Sequence, residues 1–112
     1  MLVRTCGMVL ALVIAAATPA MSADPEFVIQ IKNHQFIPAE LHIPADVKVQ
    51  IVIDNQDDAS EEFESYTLNR EKHIPPKSKI TLFVGPLTAG RYVYQGEDRT
   101  DGSTALGVIE AR

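Results

Sequence analysis

From residue 26 onward, apolar side chains recur at every second position in short runs. Phe27, Ile29 and Ile31 share one phase. Val47, Val49, Ile51 and Ile53 share another, with Lys48 and Gln50 between them. Glu40-Leu-His-Ile43 is a short run after Pro38. Phe63 to Leu68, Ile80 to Val84, Tyr92 to Tyr94 and Leu106 to Ile109 complete the set. A period of two marks a half-buried strand, and Val, Ile, Tyr, Phe and Thr are the residues strands favour. Turn chemistry separates the runs at Pro44-Ala-Asp46, Asp54-Asn55, Pro75-Pro76, Gly85-Pro86, Ala89-Gly90 and Asp101-Gly102. No long 3.6-residue apolar period follows residue 24. The spacing predicts an all-β fold, a Greek-key β-sandwich of about 7–8 strands. Leu87-Thr-Ala-Gly90-Arg-Tyr92 has the spacing of a tyrosine corner, which casts Tyr92 as a structural brace bonded to upstream backbone.

The first 23 residues follow another pattern. Arg4 stands in a short basic start, Cys6 to Ala17 is an uninterrupted apolar run, and Thr18-Pro-Ala-Met-Ser-Ala23 is rich in small residues. The run fits a secretory h-region of about 7–15 residues and is too short for a membrane span of about 20. Residues 1–23 are therefore expected to be a signal peptide, cleaved near Ala23 or Ser22, and residues 24–112 a single exported domain. Val3-Arg-Thr5 before Cys6 lacks the small and aliphatic residues of a lipidation site. No later run is long enough to span a membrane.

The one cysteine and all three methionines of the 112-residue chain fall inside that leader. The domain thus contains neither residue, and no disulfide can staple it. The chain carries a net charge of −5, and loss of the leader removes one base and no acid. Nucleic acid, which needs a basic footprint, is not an expected partner.

The acids are concentrated. Asp54, Asp57, Asp58, Glu61, Glu62 and Glu64 lie within eleven residues with no intervening Lys or Arg. Like charges this dense repel unless they are solvated or neutralised by a cation or a basic surface. Carboxylates are hard oxygen ligands, suited to Mg, Ca, Mn and iron. With Phe63 facing the core, Glu62 and Glu64 share the opposite face with Tyr66, and Glu61 is expected at a loop end. Glu97-Asp98 is a second acidic pair, which a Greek key can bring to the same end of the sandwich. The spacing does not match an EF-hand loop.

His34 and His42 read as turn and surface histidines, whereas His73 has acids nearby and is kept as a ligand candidate. There is no HExxH, GxSxG or P-loop and no cysteine nucleophile, and an enzyme is not the expected reading.

Ile31-Lys-Asn-His-Gln-Phe-Ile-Pro38-Ala-Glu-Leu41-His-Ile-Pro44-Ala resembles the opening of cupredoxins, with Asp46 where a glycine is usual. Glu61-Glu-Phe-Glu-Ser65, Leu68-Asn-Arg-Glu-Lys72, Ile74-Pro-Pro76, Gly85-Pro-Leu87, Gly90-Arg-Tyr92 and Gly96-Glu97 are more specific. They resemble periplasmic cupredoxin-like domains of bacterial iron uptake, of the FtrB type and, more distantly, the N-terminal domain of EfeO. The resemblance covers nearly all of residues 24–112.

A blue-copper centre needs His₂Cys and a weak axial ligand. By the resemblance its histidines fall at Glu61 or Glu62 and near Arg99, its cysteine at Gly96 and its methionine near Ala105. No type-1 copper centre is therefore expected. The resemblance implies a protein that works beside an inner-membrane iron permease and a periplasmic iron-binding protein, oxidising ferrous iron or passing it on. An iron or copper ion is the implied cofactor. Glu62, Glu64, Glu97 and Asp98 are its ligands in this reading, with Glu71 or His73 adding one. Oxygen ligands favour Fe(III) over Fe(II). The competing reading is a metal-free interaction module whose acidic end docks a basic partner.

Overall fold

The computed structural model describes residues 2–3, 5–16, 23–98 and 101–112. The expected cleavage region, residues 18–22, and Arg99 lie outside the described residues. Residues 5–16 form no strand, and Val9, Leu10 and Ile14 are exposed.

Among the described residues nine strands follow: β1 Glu26–Lys32, β2 Gln35–Ile37, β3 Glu40–Ile43, β4 Val49–Asn55, β5 Glu61–Ser65, β6 Arg70–Ile74, β7 Lys79–Val84, β8 Gly90–Asp98 and β9 Thr104–Ala111. They form two mixed sheets, β2-β1-β4-β7 and β3-β9-β8-β5-β6. β1 runs parallel to β4, and β3 parallel to β9. The architecture is the all-β sandwich that the alternation predicts.

Two strands go beyond that expectation, β2 and β6. β2 is only three residues long, and Phe36 is its one buried side chain. β6 is an edge strand that buries only Ile74, so it carries no alternation to detect. β5 also differs. It starts at Glu61, not Phe63, and ends at Ser65, so Glu61 is a buried strand residue and not a loop end. The cause is register: Glu61 continues the inward phase of Phe63 and Ser65.

The predicted apolar phases form the core. Ile29 and Ile31 from β1, Ile51 and Ile53 from β4, and Leu82 and Val84 from β7 face Phe63, Tyr94 and Ile109 of the other sheet. Tyr94 packs edge-on to Phe36, with centroids 4.8 Å apart, and against Phe63 at 4.9 Å. Gly107, opposite Tyr94 on β9, makes room for the ring, because a Cβ there would sit 2.2 Å from it. At the far end Tyr92 forms the predicted corner, its hydroxyl donating to the Thr88 carbonyl at 2.8 Å.

Candidate metal centre

The β6-β5-β8 ladder decides which acids meet. Glu62 stands opposite His73 on one side and Glu97 on the other. Glu64 stands opposite Glu71 and Gln95. Residues directly opposite share a face, so Glu62, Glu64, Glu71, His73 and Glu97 form two adjacent rows on the solvent side of the sheet. His73 Nδ1 lies 2.9 Å from Glu62 Oε1, and Gln95 Nε2 donates to Glu64 Oε2 at 3.5 Å. Glu62 against Glu97, and Glu64 against Glu71, place like charges directly across from each other, which is unfavourable without compensation.

Asp98 does not join these five. One residue further along β8, it lies opposite Glu61 on the inner side, in the row that ends on Ile74. Its amide donates to the Ser103 carbonyl and its own carbonyl accepts from Gly102, which fixes the base of the β8–β9 turn.

Glu61 is the centre of the inner set. Its side chain is 2% exposed. It fits because residue 96, diagonal to it across the ladder and opposite Phe63, has no side chain: a Cβ at Gly96 would lie 3.1 Å from Glu61 Oε2 and 2.7 Å from the Phe36 ring. His34 reaches it from the β1–β2 turn and bonds Glu61 Oε1 through Nδ1. Asn33 and His34 both take left-handed backbone, with φ of 52° and 57°. The Asp57 carboxylate secures that turn by accepting from the Asn33 and His34 amides, each at 2.8 Å. Asp57 is held in turn by buried Asn55, whose Oδ1 accepts the Asp57 amide while Nδ2 donates to the carbonyls of Ala59, Ile74 and Pro75.

One ligand atom from each of His34, Glu61 and Asp98 lies within 4.8 Å of the others. Two buried atoms of this set have no hydrogen-bond partner, Glu61 Oε2 and His34 Nε2. Burial pushes the Glu61 carboxyl above its usual range; the His34 contact offsets part of this, and the negative charges of Asp98 and Asp57 add to it. Burial alone would lower His34. The Glu61 hydrogen bond and charge, the nearby Ser103 backbone and Asp98 together outweigh it and raise the imidazole.

Among the described residues one other such trio occurs, Glu40, His42 and Glu110, on β3 and β9. It is more open, and Arg91 already bridges Glu40 at 3.2 Å and Glu110 at 3.1 Å.

His34 and Glu61 were not singled out by the sequence. They are 27 residues apart, and only the pairing of the two sheet ends brings them together. The alternation of β5 alone, extended two residues upstream of Phe63, would have placed Glu61 inside. The donors in the inner set are one imidazole and two carboxylates, which do not fit a blue-copper centre built on a thiolate. They fit a harder ion.

Strand count, sheet order and a donor cluster at one end of the sandwich define a cupredoxin-type domain. The chain belongs to the cupredoxin-like domain family, whose profile matches residues 5–108. An uncharacterised protein of Rickettsia prowazekii (strain Madrid E) is 40% identical over 84 residues, which are 75% of this chain and 66% of that protein. The chain thus spans just under two thirds of that relative. Auracyanin A, a blue copper protein of Chloroflexus aurantiacus, superposes with a TM-score of 0.66 at 11% identity, over 80% of this chain and all of its own. A mutant of amicyanin in its reduced Cu(I) form superposes at 0.59 with 15% identity, over 83% of this chain and 88% of its own. At such identities the likeness is one of fold.

Proposed function

We propose that this protein is an exported, periplasmic accessory factor of iron uptake, which takes up metal ions on its acidic sheet face and hands them to a membrane permease. A periplasmic iron-binding protein is the expected co-worker. One observation carries the reading: Glu62, Glu64, Glu71, His73 and Glu97 stand in two rows on one face, with acids directly opposed. Such a face favours hard cations, and iron in its ferric form over copper(I). Family membership supports metal handling of this kind, since cupredoxin relatives such as auracyanin A carry copper. Export rests on the pattern of residues 1–23. Among the described residues no helix is long and apolar enough to cross a membrane.

The test is calorimetric titration of the chain from residue 24, which carries every strand, with anaerobic Fe(II), Fe(III)-citrate, Mn(II) and Cu(II). Glu62→Gln and Glu97→Gln should each weaken iron binding at least tenfold, in the range seen when a metal site loses a supporting group. Binding unchanged in both variants would overturn the assignment to this face.

A metal-free docking role is the second reading. Tyr66, Val93 and Leu106 are 90%, 61% and 74% exposed and flank the acid rows, the pattern of a polar and apolar contact surface.

A further inference from the structure

We propose that His34, Glu61 and Asp98 form a separate, inward-facing site for one divalent first-row metal ion of the Fe(II) or Mn(II) class. It does not depend on the acidic outer face. Adjacent residues of a strand point to opposite sides, so Glu61 and Asp98 lie on the other side of the sheet from Glu62 and Glu97.

Three features point to a ligand here. The first is Glu61 itself. A carboxylate this deeply buried is costly unless each oxygen is satisfied. His34 satisfies Oε1, and Oε2 has no partner. The second is convergence. Ligand atoms about 2.1 Å from a metal stand roughly 3–3.4 Å apart. The three candidate atoms already lie within 4.8 Å of one another, so an inward closure of little more than an ångström completes the set. Glu61 is fixed in β5 and His34 is already in contact with it on a turn held by Asp57, so the closure falls to the Asp98 side chain at the end of β8. The third is access. A cleft of about 400 Å³ opens beside His34, lined also by Asn33, Phe36, Ala39, Thr104 and Ala105.

The donor chemistry selects the ion. Imidazole suits iron, zinc, nickel and copper(II), and carboxylate suits manganese and magnesium; a set with one imidazole and two carboxylates favours ions between those groups. Three protein ligands leave positions for water or an incoming group, so the ion is exchangeable and not sealed in. Gly96 is part of the design: its missing Cβ leaves Oε2 uncrowded.

The experiment is titration of the metal-free chain from residue 24 with Mn(II), followed by NMR and calorimetry, and repeated with anaerobic Fe(II). Substoichiometric Mn(II) should first broaden the His34 ring protons and the amides of Glu61 and Asp98, with one equivalent bound. Glu61→Gln should weaken this binding more than tenfold, and Glu62→Gln and Glu97→Gln should leave it unchanged. Asp98→Asn, at a half-exposed strand end, serves the same purpose if Glu61→Gln does not fold. Broadening centred on His73 and Glu97, Asp98→Asn and Glu61→Gln binding as the wild type does, or no saturable binding of either ion would each overturn the inner site. The outer-face assignment fails or stands separately, through the Glu62 and Glu97 variants.

Discussion

Asp57 is the joint on which the position of His34 depends, and its removal is the sharpest test of how this end of the sandwich is built. Its carboxylate accepts from two successive amides, Asn33 and His34, at 2.8 Å each. Both of those residues hold left-handed backbone, a conformation that costs a non-glycine residue on the order of 1 kcal/mol or more. Hydrogen bonds to a charged acceptor contribute about 1.5–3 kcal/mol apiece. Asp57 is half-buried, so the lower figure applies, and Asp57→Ala should cost about 3 kcal/mol. Asp57→Asn keeps one acceptor oxygen and turns an amide NH₂ toward the other N–H, so it should cost about 2 kcal/mol. The assay is urea unfolding followed by circular dichroism, since the chain has no tryptophan. With a slope of about 1–3 kcal/mol per molar urea, the midpoint of the Ala variant should fall by roughly 1–3 M. Adding Asn33→Gly to Asp57→Ala should recover up to about 1 kcal/mol, because glycine takes the left-handed turn without strain. An Asp57→Ala variant within about 0.5 kcal/mol of wild type would refute the reasoning, since that is the scatter of an ordinary surface substitution.

Two further outcomes are expected. Tyr92→Phe removes the hydroxyl that donates to the Thr88 carbonyl at 2.8 Å, and should cost about 1 kcal/mol in the same urea assay while leaving metal affinity unchanged. In metal-free protein both His34 and Glu61 are raised, so the folded chain holds more protons than the unfolded one once pH passes the unfolded Glu value of about 4.3. Stability should therefore fall as pH rises from that point through the raised folded value of His34, and Glu61→Gln should flatten the slope. A slope of opposite sign between about pH 4.5 and 7 would contradict it.

The sandwich was legible because its strands are amphipathic. Ile29 and Ile31, Ile51 and Ile53, and Leu82 and Val84 all occupy the inward phase that their alternation predicts. β6 was not legible, because an edge strand with Ile74 as its one buried residue has no apolar period. For the acids, the same period explains both the success and the miss. Glu62 and Glu64 were correctly placed on one solvent face by their spacing around Phe63. Glu97 and Asp98 were grouped because they adjoin in sequence, yet adjacency in a strand sends them to opposite faces. His34 carries no sign in its neighbours, since what distinguishes it is a contact made across 27 residues by tertiary pairing.

The register turns two acidic doublets into two unlike environments. Glu61-Glu62 on β5 faces Glu97-Asp98 on β8 antiparallel, so Glu62 meets Glu97 outside and Glu61 meets Asp98 inside. A slip of one residue would break both pairings, so the backbone ladder that forms one set forms the other. The cost of charging them differs. Two ionised carboxylates 4.8 Å apart, the limit found for the inner set, repel by about 3 kcal/mol at an effective dielectric of 20 and by about 1 kcal/mol in water. The outer pair is close to the second case and tolerates its charge through hydration, with His73 beside Glu62. The inner pair is close to the first and requires a positive partner. In the metal-free chain the His34 imidazole, held above its usual value by Glu61 and Asp98, stands beside it. A divalent ion brings more charge to the same place and also meets the second oxygen of Glu61, which no side chain reaches. The inner pair is therefore where a divalent ion is expected to change the stability of the fold most, and the solvated outer rows where it is expected to change it least.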